Sequence, residues 1–384
     1  MTAGRVQQAI ELMSRFEART REQRRYLWTD AFAVTNYLGL ALATRETQFI
    51  ESARGLIDRV HQTLGQHRPD GSRQGWISGL PDVEGRAHPT TGGLRIGKPL
   101  DERPPAAEPD DRMEWDRDGQ YFHYLTKWMH ALDQTSRVTG DLTYNCWARE
   151  LAATAHRAFV YALPDGSKRM YWKMSIDLSR PLVSSMGQHD PLDGFVTYVQ
   201  LQATQNDACF APPLDAAIAD FDSMIDRDRL ATDDPLGIGG LLVDAYRLVQ
   251  LDREPELLKT MLVAALVGLV QTRFDVNQPA YARLAFRELG LAIGLAAIDL
   301  MLPEADLGLR PVLQELRKFV PLRDALEAFW LQPGNQATQT WQHHADINEV
   351  MLATSLVPDG FLTLRRTGTG RFNSQPSRQA SHSG

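Results

Sequence analysis

One pattern recurs along the chain and restricts its fold more than any other feature. A helical stretch leads into a short turn, then an aromatic residue, then an alanine four residues on. It runs first from Tyr37 through Thr44 and Phe49 to Ala53 and Leu56, and again from Trp128-Met-His-Ala-Leu132 through Thr139-Gly-Asp-Leu-Thr-Tyr144 to Ala148 and Leu151. A weaker copy spans Leu241 to Gln271 around the turn Asp252-Arg-Glu-Pro255, and a fourth runs from Leu289 through Met301 to Phe319. Gly140 suits the left-handed residue that closes a helix, and Pro255 suits the first turn of the next one. Helical hairpins repeated at this length stack into a solenoid or close into a ring, because each buries its apolar face only against its neighbours.

The remaining periodicity agrees with an all-α chain. Ile10, Met13, Phe16 and Tyr26 mark one helical stripe between Val6 and Arg25; Trp28 restarts the pattern to a break near Thr44, and Phe49 to Leu64 carries the next helix. Met170 to Arg180 is expected to be helical, stopped by Pro181, and Gly237-Ile-Gly-Gly240 opens a helix. The segment 65–110 is too rich in glycine and proline for a long helix. Trp76, Ile77, Leu94 and Ile96 give it something to pack with, which predicts an ordered lid or wall. The tail, 363–384, is polar and expected to be disordered.

Composition excludes several classes. Of 384 residues, 43% are hydrophobic and 23% charged, as in an ordinary soluble domain. A formal net charge of -7 argues against nucleic acid as a partner, since that binding draws on Lys and Arg. The run Arg19 to Arg25 reads as the solvated face of a helix. Two cysteines, Cys146 and Cys209, exclude a disulfide framework and disfavour a cysteine-based zinc site, and no cofactor or metal is expected. No signal peptide is evident between Met1 and Arg25, and Met261 to Val270 is too short to span a bilayer, so no membrane partner and a cytoplasmic location are expected.

Chemistry-bearing residues crowd between Glu114 and Gly194. Asp116 and Asp118 could flank a scissile bond as acid and base, or Asp118-Gly119 is only a turn and Asp116 a helix cap. His123, Lys127 and His130 share one helical face, beside an apolar stripe of Tyr124, Trp128 and Leu132; they line a pocket or form a solvent-facing stripe. Tyr171, Trp172, Lys173, Asp177 and Arg180 join flat rings to charged groups, which suits a sugar, although a salt-bridge ladder explains the charges equally. Gln188 and His189 are free to face a ligand, whereas Asp190, before Pro191, reads as an N-cap with Asp193 in the acidic first turn. If Trp341 to Glu349 is helical, His343 meets Asp346 on one face and could act as a base. Walker, dinucleotide, HExxH and nucleophile-elbow signatures are absent.

With Thr139-Gly-Asp-Leu-Thr-Tyr144 and its relatives, and the segment Asp116 to Trp128, the chain resembles the six-hairpin, or (α/α)6-barrel, glycosidase superfamily over most of residues 6 to 360. The resemblance implies an all-α toroid of antiparallel hairpins with long loops at one end, a single domain over 1–362. It implies a carbohydrate-active enzyme acting on a small-molecule or oligosaccharide substrate. The leading expectation is glycoside hydrolysis, with Asp116, Asp118, His123 and Asp177 as catalytic candidates. Trp76, Tyr121, Tyr124, Lys127, Tyr171, Lys173, Arg180, Gln188, His189 and His343 are the candidate substrate contacts. The alternatives are sugar epimerisation through paired histidines such as His123 and His343, and a noncatalytic sugar-binding or scaffold protein.

Overall fold

A computed structural model describes residues 2–20, 25–108, 110–204, 213–272 and 278–365. Part of the arginine-rich run, Cys209 and the tail from 366 onward lie outside the described residues.

The long elements are helices, and they sort into two kinds by how their apolar residues are distributed. Gln48–Leu64 buries one stripe, Ile50, Ala53, Leu56, Ile57, Val60 and Leu64, and leaves the other face in water. Leu27–Thr44 is buried on every side from Leu27 to Ala41. Helices that are apolar all round belong inside.

Packing follows from that division. Leu27–Thr44 lies against Gln48–Leu64, Phe122–Thr139 and Ala345–Leu356; Phe122–Thr139 against Thr143–Phe159 and Asp190–Ala203. Asp190–Ala203 touches Asp215–Met224 and Pro235–Leu251, and the latter touches Pro255–Gln271 and Ala285–Met301. Ala285–Met301 meets Arg310–Arg317, Pro321–Trp330 and Ala345–Leu356, which in turn carries Ala3–Thr20 on its far side. The expected hairpin turns are present: Arg45, Gly140 and Asp252 each close a helix in the left-handed conformation.

Two devices bring the inner helices close. Gly239 faces Gly290 and Gly294, and a Cβ on Gly239 would stand 2.1 Å from the Gly290 carbonyl oxygen, so Gly237-Ile-Gly-Gly240 serves helix contact. Buried polar side chains are also matched across elements. Asn36 donates to the Val350 carbonyl (2.9 Å) and accepts from Thr354 (2.7 Å). The Asp133 carboxylate accepts from Arg137, Asn145, Gln200 and Thr204, each within 2.8 Å, which satisfies a charge that would otherwise be costly to bury.

Two expected elements are different in kind. Met170 to Arg180 is not helical: Lys168–Met170 pairs with Val160–Ala162, and Lys173–Met174 lies between Gln120–Tyr121 and Pro181–Val183 in a small antiparallel sheet. Asp177 enforces the turn between strands, since its Oδ1 accepts from Ser175 Oγ, Ser179 Oγ and Ser179 N. Trp341 to Glu349 is likewise broken, with His343 and His344 at the gap between Gln339–Gln342 and Ala345–Leu356. The 65–108 segment is mostly irregular but tightly held, with Leu94 and Ile96 fully buried and Ile96 bridging Leu27 and Gly119 through its backbone. No helix among the described residues is long and apolar enough to cross a membrane.

Candidate functional site

A cavity of about 1080 Å³ opens where several inner helices begin. Trp28 and Phe32 enter it from Leu27–Thr44, His123 and Lys127 from Phe122–Thr139, Asp190 and Asp193 from Asp190–Ala203, and Asp244 from Pro235–Leu251. Phe286 and Arg287 come from the start of Ala285–Met301, and Asp346 and Met351 from Ala345–Leu356. The positive dipole ends of these helices therefore point toward one space, an environment that favours negative charge. Trp115 and Trp172 add flat apolar walls, Trp115 being 56% exposed.

The aromatic residues form a box around one imidazole. His123 stacks on Trp172 (5.8 Å, 14° between planes) and on Tyr121 (5.3 Å, 29°), with Trp28 and Tyr124 edge-on. Burial, reinforced by the charge of Lys127, lowers its pKa to about 4, so it is neutral near pH 7. Its Nδ1 lies 4.0 Å from Asp190 Oδ1 and has no hydrogen-bond partner among the described residues.

Asp190 and Asp193, one helical turn apart, are driven in opposite directions. Burial, followed by the charge of Asp193, raises the Asp190 pKa to about 7, and its Oδ2 has no hydrogen-bond partner among the described residues. Burial acts on Asp193 too, but Lys127 and Arg247 outweigh it through their charges, and hydrogen bonds from Lys127 (2.8 Å) and Thr126 add to them. Asp193 is held ionised below the usual carboxylate range. Asp244, bound to Arg247 at 2.9 Å, is raised to about 6 by burial and by Asp193.

Six of the sequence candidates meet at this cavity: Tyr121, His123, Tyr124, Lys127, His189 and His343. His189 Nε2 faces the Leu230 carbonyl at 2.8 Å; a carbonyl only accepts, so that nitrogen carries the proton. The other candidates lie outside the wall. Asp116 is exposed, and the following helix is capped by Tyr121 instead. Asp118 is fully buried and spoken for by Arg95 (2.6 Å), Arg68 (3.4 Å) and the amides of Gly97 and Gly119. Asp177 holds its turn and pairs with Arg73. Trp76 packs on Gly85, Tyr171 stacks on Tyr161 at 4.4 Å, and Lys173 is buried against Glu114 and the carbonyls of Glu114 and Arg117. Arg180 bonds the Arg103 carbonyl, Gln188 those of Arg229 and Ala231, and His130 that of Phe361.

Asp190 was assigned by its sequence context to a cap, and that assignment is corrected. The residue in the capping position is His189, and Asp190 is the first residue of the helix itself. Trp28, Trp115 and Asp244 also line the cavity without a local motif that marks them. No group of three or more His, Cys, Asp or Glu among the described residues is arranged to hold a metal.

Set against family models, curated proteins and solved structures, the chain matches none of them.

Proposed function

We propose that the protein is a carbohydrate-active enzyme of the glycoside-hydrolase kind, working by carboxylate acid–base catalysis at the cavity. The observation that carries the reading is the divided pair. With its pKa raised to about 7, Asp190 is still partly protonated near pH 7 and its Oδ2 has no hydrogen-bond partner among the described residues, while Asp193 stays ionised beside it. Opposed pKa shifts in neighbouring carboxyl groups are how one site supplies both an acid and a base or anionic stabiliser. Asp190 would protonate the departing glycosidic oxygen, Asp193 would stabilise the positive charge that develops on the sugar ring, and the substrate water would then attack the ring carbon and give its proton to the Asp190 carboxylate, restoring the acid. Trp172, Trp115 and Trp28 offer the flat surfaces on which sugar faces stack.

The same reading takes the six inner helices to be a closed (α/α)6 ring within one domain. Its support is the order of packing, in which Leu27–Thr44 leads round through Phe122–Thr139, Asp190–Ala203, Pro235–Leu251 and Ala285–Met301 to Ala345–Leu356 and back. A scaffold that closed on itself would have no reason for a cavity of about 1080 Å³. Epimerisation is less well served, because His123, one of the two histidines expected to carry it, is made a weaker base by burial.

The test is release of p-nitrophenol from a panel of α- and β-glycosides, with reducing-end and epimer formation followed on natural sugars. Asp190→Asn should lower kcat by roughly 10²–10⁴-fold, the range for loss of a general acid, with the circular dichroism spectrum unchanged. Epimer formation without hydrolysis, or a fully active Asp190→Asn, would overturn the reading.

A further inference from the structure

The cations on the cavity wall are not equivalent. Arg19 is neutralised by Asp346 at 2.9 Å and Glu349 at 3.0 Å, Lys127 by Asp193 at 2.8 Å, and Arg287 by Asp234 at 2.7 Å. Lys98 also lines the cavity, yet among the described residues no carboxylate stands within ion-pair distance of its ammonium group.

Two linked tyrosines stand beside Lys98. Its Nζ stands 5.3 Å from the centroid of the Tyr26 ring, and the Tyr26 hydroxyl lies 2.5 Å from that of Tyr124. Between two hydroxyls only one proton can be shared, so the accepting hydroxyl keeps its own proton to donate elsewhere. Burial lowers the Lys98 pKa; Asp116 and Asp118 oppose this only at longer range, and Asp118 is already bound by two arginines. A partly desolvated ammonium without a counter-ion is an unfavourable arrangement that a bound anion relieves.

We propose that Lys98, with the hydroxyls of Tyr26 and Tyr124, forms an anion-recognising subsite, so that the sugar taken by this cavity carries a carboxylate or phosphate group. Lys98 then determines specificity, and the glycine- and proline-rich segment that carries it selects the substrate. The inference rests on the carbohydrate reading above and narrows it.

The tryptophans of the cavity provide the readout. Their fluorescence would be titrated with D-glucuronate, D-glucose 6-phosphate and D-glucose, for the wild type, Lys98→Met and Lys98→Arg. In the wild type one anionic sugar should bind roughly tenfold or more tightly than glucose, the worth of a charge-assisted hydrogen bond, and which one it is distinguishes carboxylate from phosphate. Lys98→Met should erase that preference and leave glucose binding as it was, and Lys98→Arg should retain most of it. Glucose binding as tightly as both anionic sugars, or a preference that survives Lys98→Met, overturns the subsite and leaves the carbohydrate reading standing. Failure of all three sugars to bind the wild type overturns both.

Discussion

Asp118 and Asp190 are both buried carboxylates, and the chain uses them in contrary ways. Asp118 sits where the 65–108 segment meets the start of the Phe122–Thr139 helix, with two arginines and two backbone amides around it. Asp190 sits at a helix start facing the cavity, with one oxygen unpartnered and a raised pKa. A carboxylate whose lone pairs are all engaged holds structure together. One that is buried with an oxygen left unpartnered holds its proton to higher pH and has it to give away. On the proposed reading, chemistry at this site goes with incomplete satisfaction, and the crowded, fully satisfied cluster beside it supplies rigidity.

Three measurements put that contrast at risk. The largest effect is expected from Asp118→Asn, which removes the charge between Arg68 and Arg95 and should cost about 3–5 kcal/mol in urea unfolding, as for other broken buried pairs. Ligand affinity per folded molecule should be nearly unchanged. A stable variant that has lost binding would place Asp118 in the site and dissolve the comparison.

Next in size is a difference in pH dependence. The Asp190 pKa rises from 3.8 to about 7 on folding, so the folded state holds its proton more tightly. That contribution is complete below about pH 4 and is lost as pH rises through about 7. Asp193 has the opposite sign, contributing above its unfolded pKa and losing that as pH falls. The buried histidines titrate in wild type and variant alike, so the informative quantity is Asp190→Asn minus wild type. The variant should gain relative stability between pH 4 and pH 8, by no more than about 4 kcal/mol at roughly 1.4 kcal/mol per unit. A difference that stays flat with pH would mean that Asp190 is ionised throughout.

The smallest effect is expected at the aromatic wall. Trp172→Ala removes the ring that stacks on His123 and should raise KM about tenfold while leaving kcat within a factor of about three, since stacking binds ground and transition states alike. Equal losses in kcat and kcat/KM would instead assign Trp172 to the reacting geometry.

Much of the helical framework is legible in the sequence, because its signals are local. The expected start of Gln48–Leu64 and the closures at Gly140 and Asp252 rest on spacing and turn chemistry a few residues wide. The errors fall where distant contacts decide. Lys173 to Met174 becomes a strand through pairing with Gln120 and Tyr121, more than fifty residues earlier. Asp190 was misread by a single position: with His189 as the cap, the next side chain turns from a hydrogen-bonding role into the cavity. Between Glu114 and Gly194 the composition alone cannot separate the two kinds of charge, since charges that neutralise one another in a wall look the same in a sequence as charges that meet a substrate. Their satisfaction is a property of the folded neighbours alone.

The helix Leu27–Thr44 is bound to its partner by residues 314 positions away, Asn36 to Val350, and Phe32 stacks on Phe361 at 4.8 Å. Made at about 5–20 residues per second, the first of these helices leaves the ribosome on the order of half a minute before the last. Through that interval its whole apolar circumference has no final seat, and the cavity does not exist. Assembly of the site thus waits for the segment Ala345 to Leu362, and until that segment is made Leu27–Thr44 lacks partners that cover it in the folded protein.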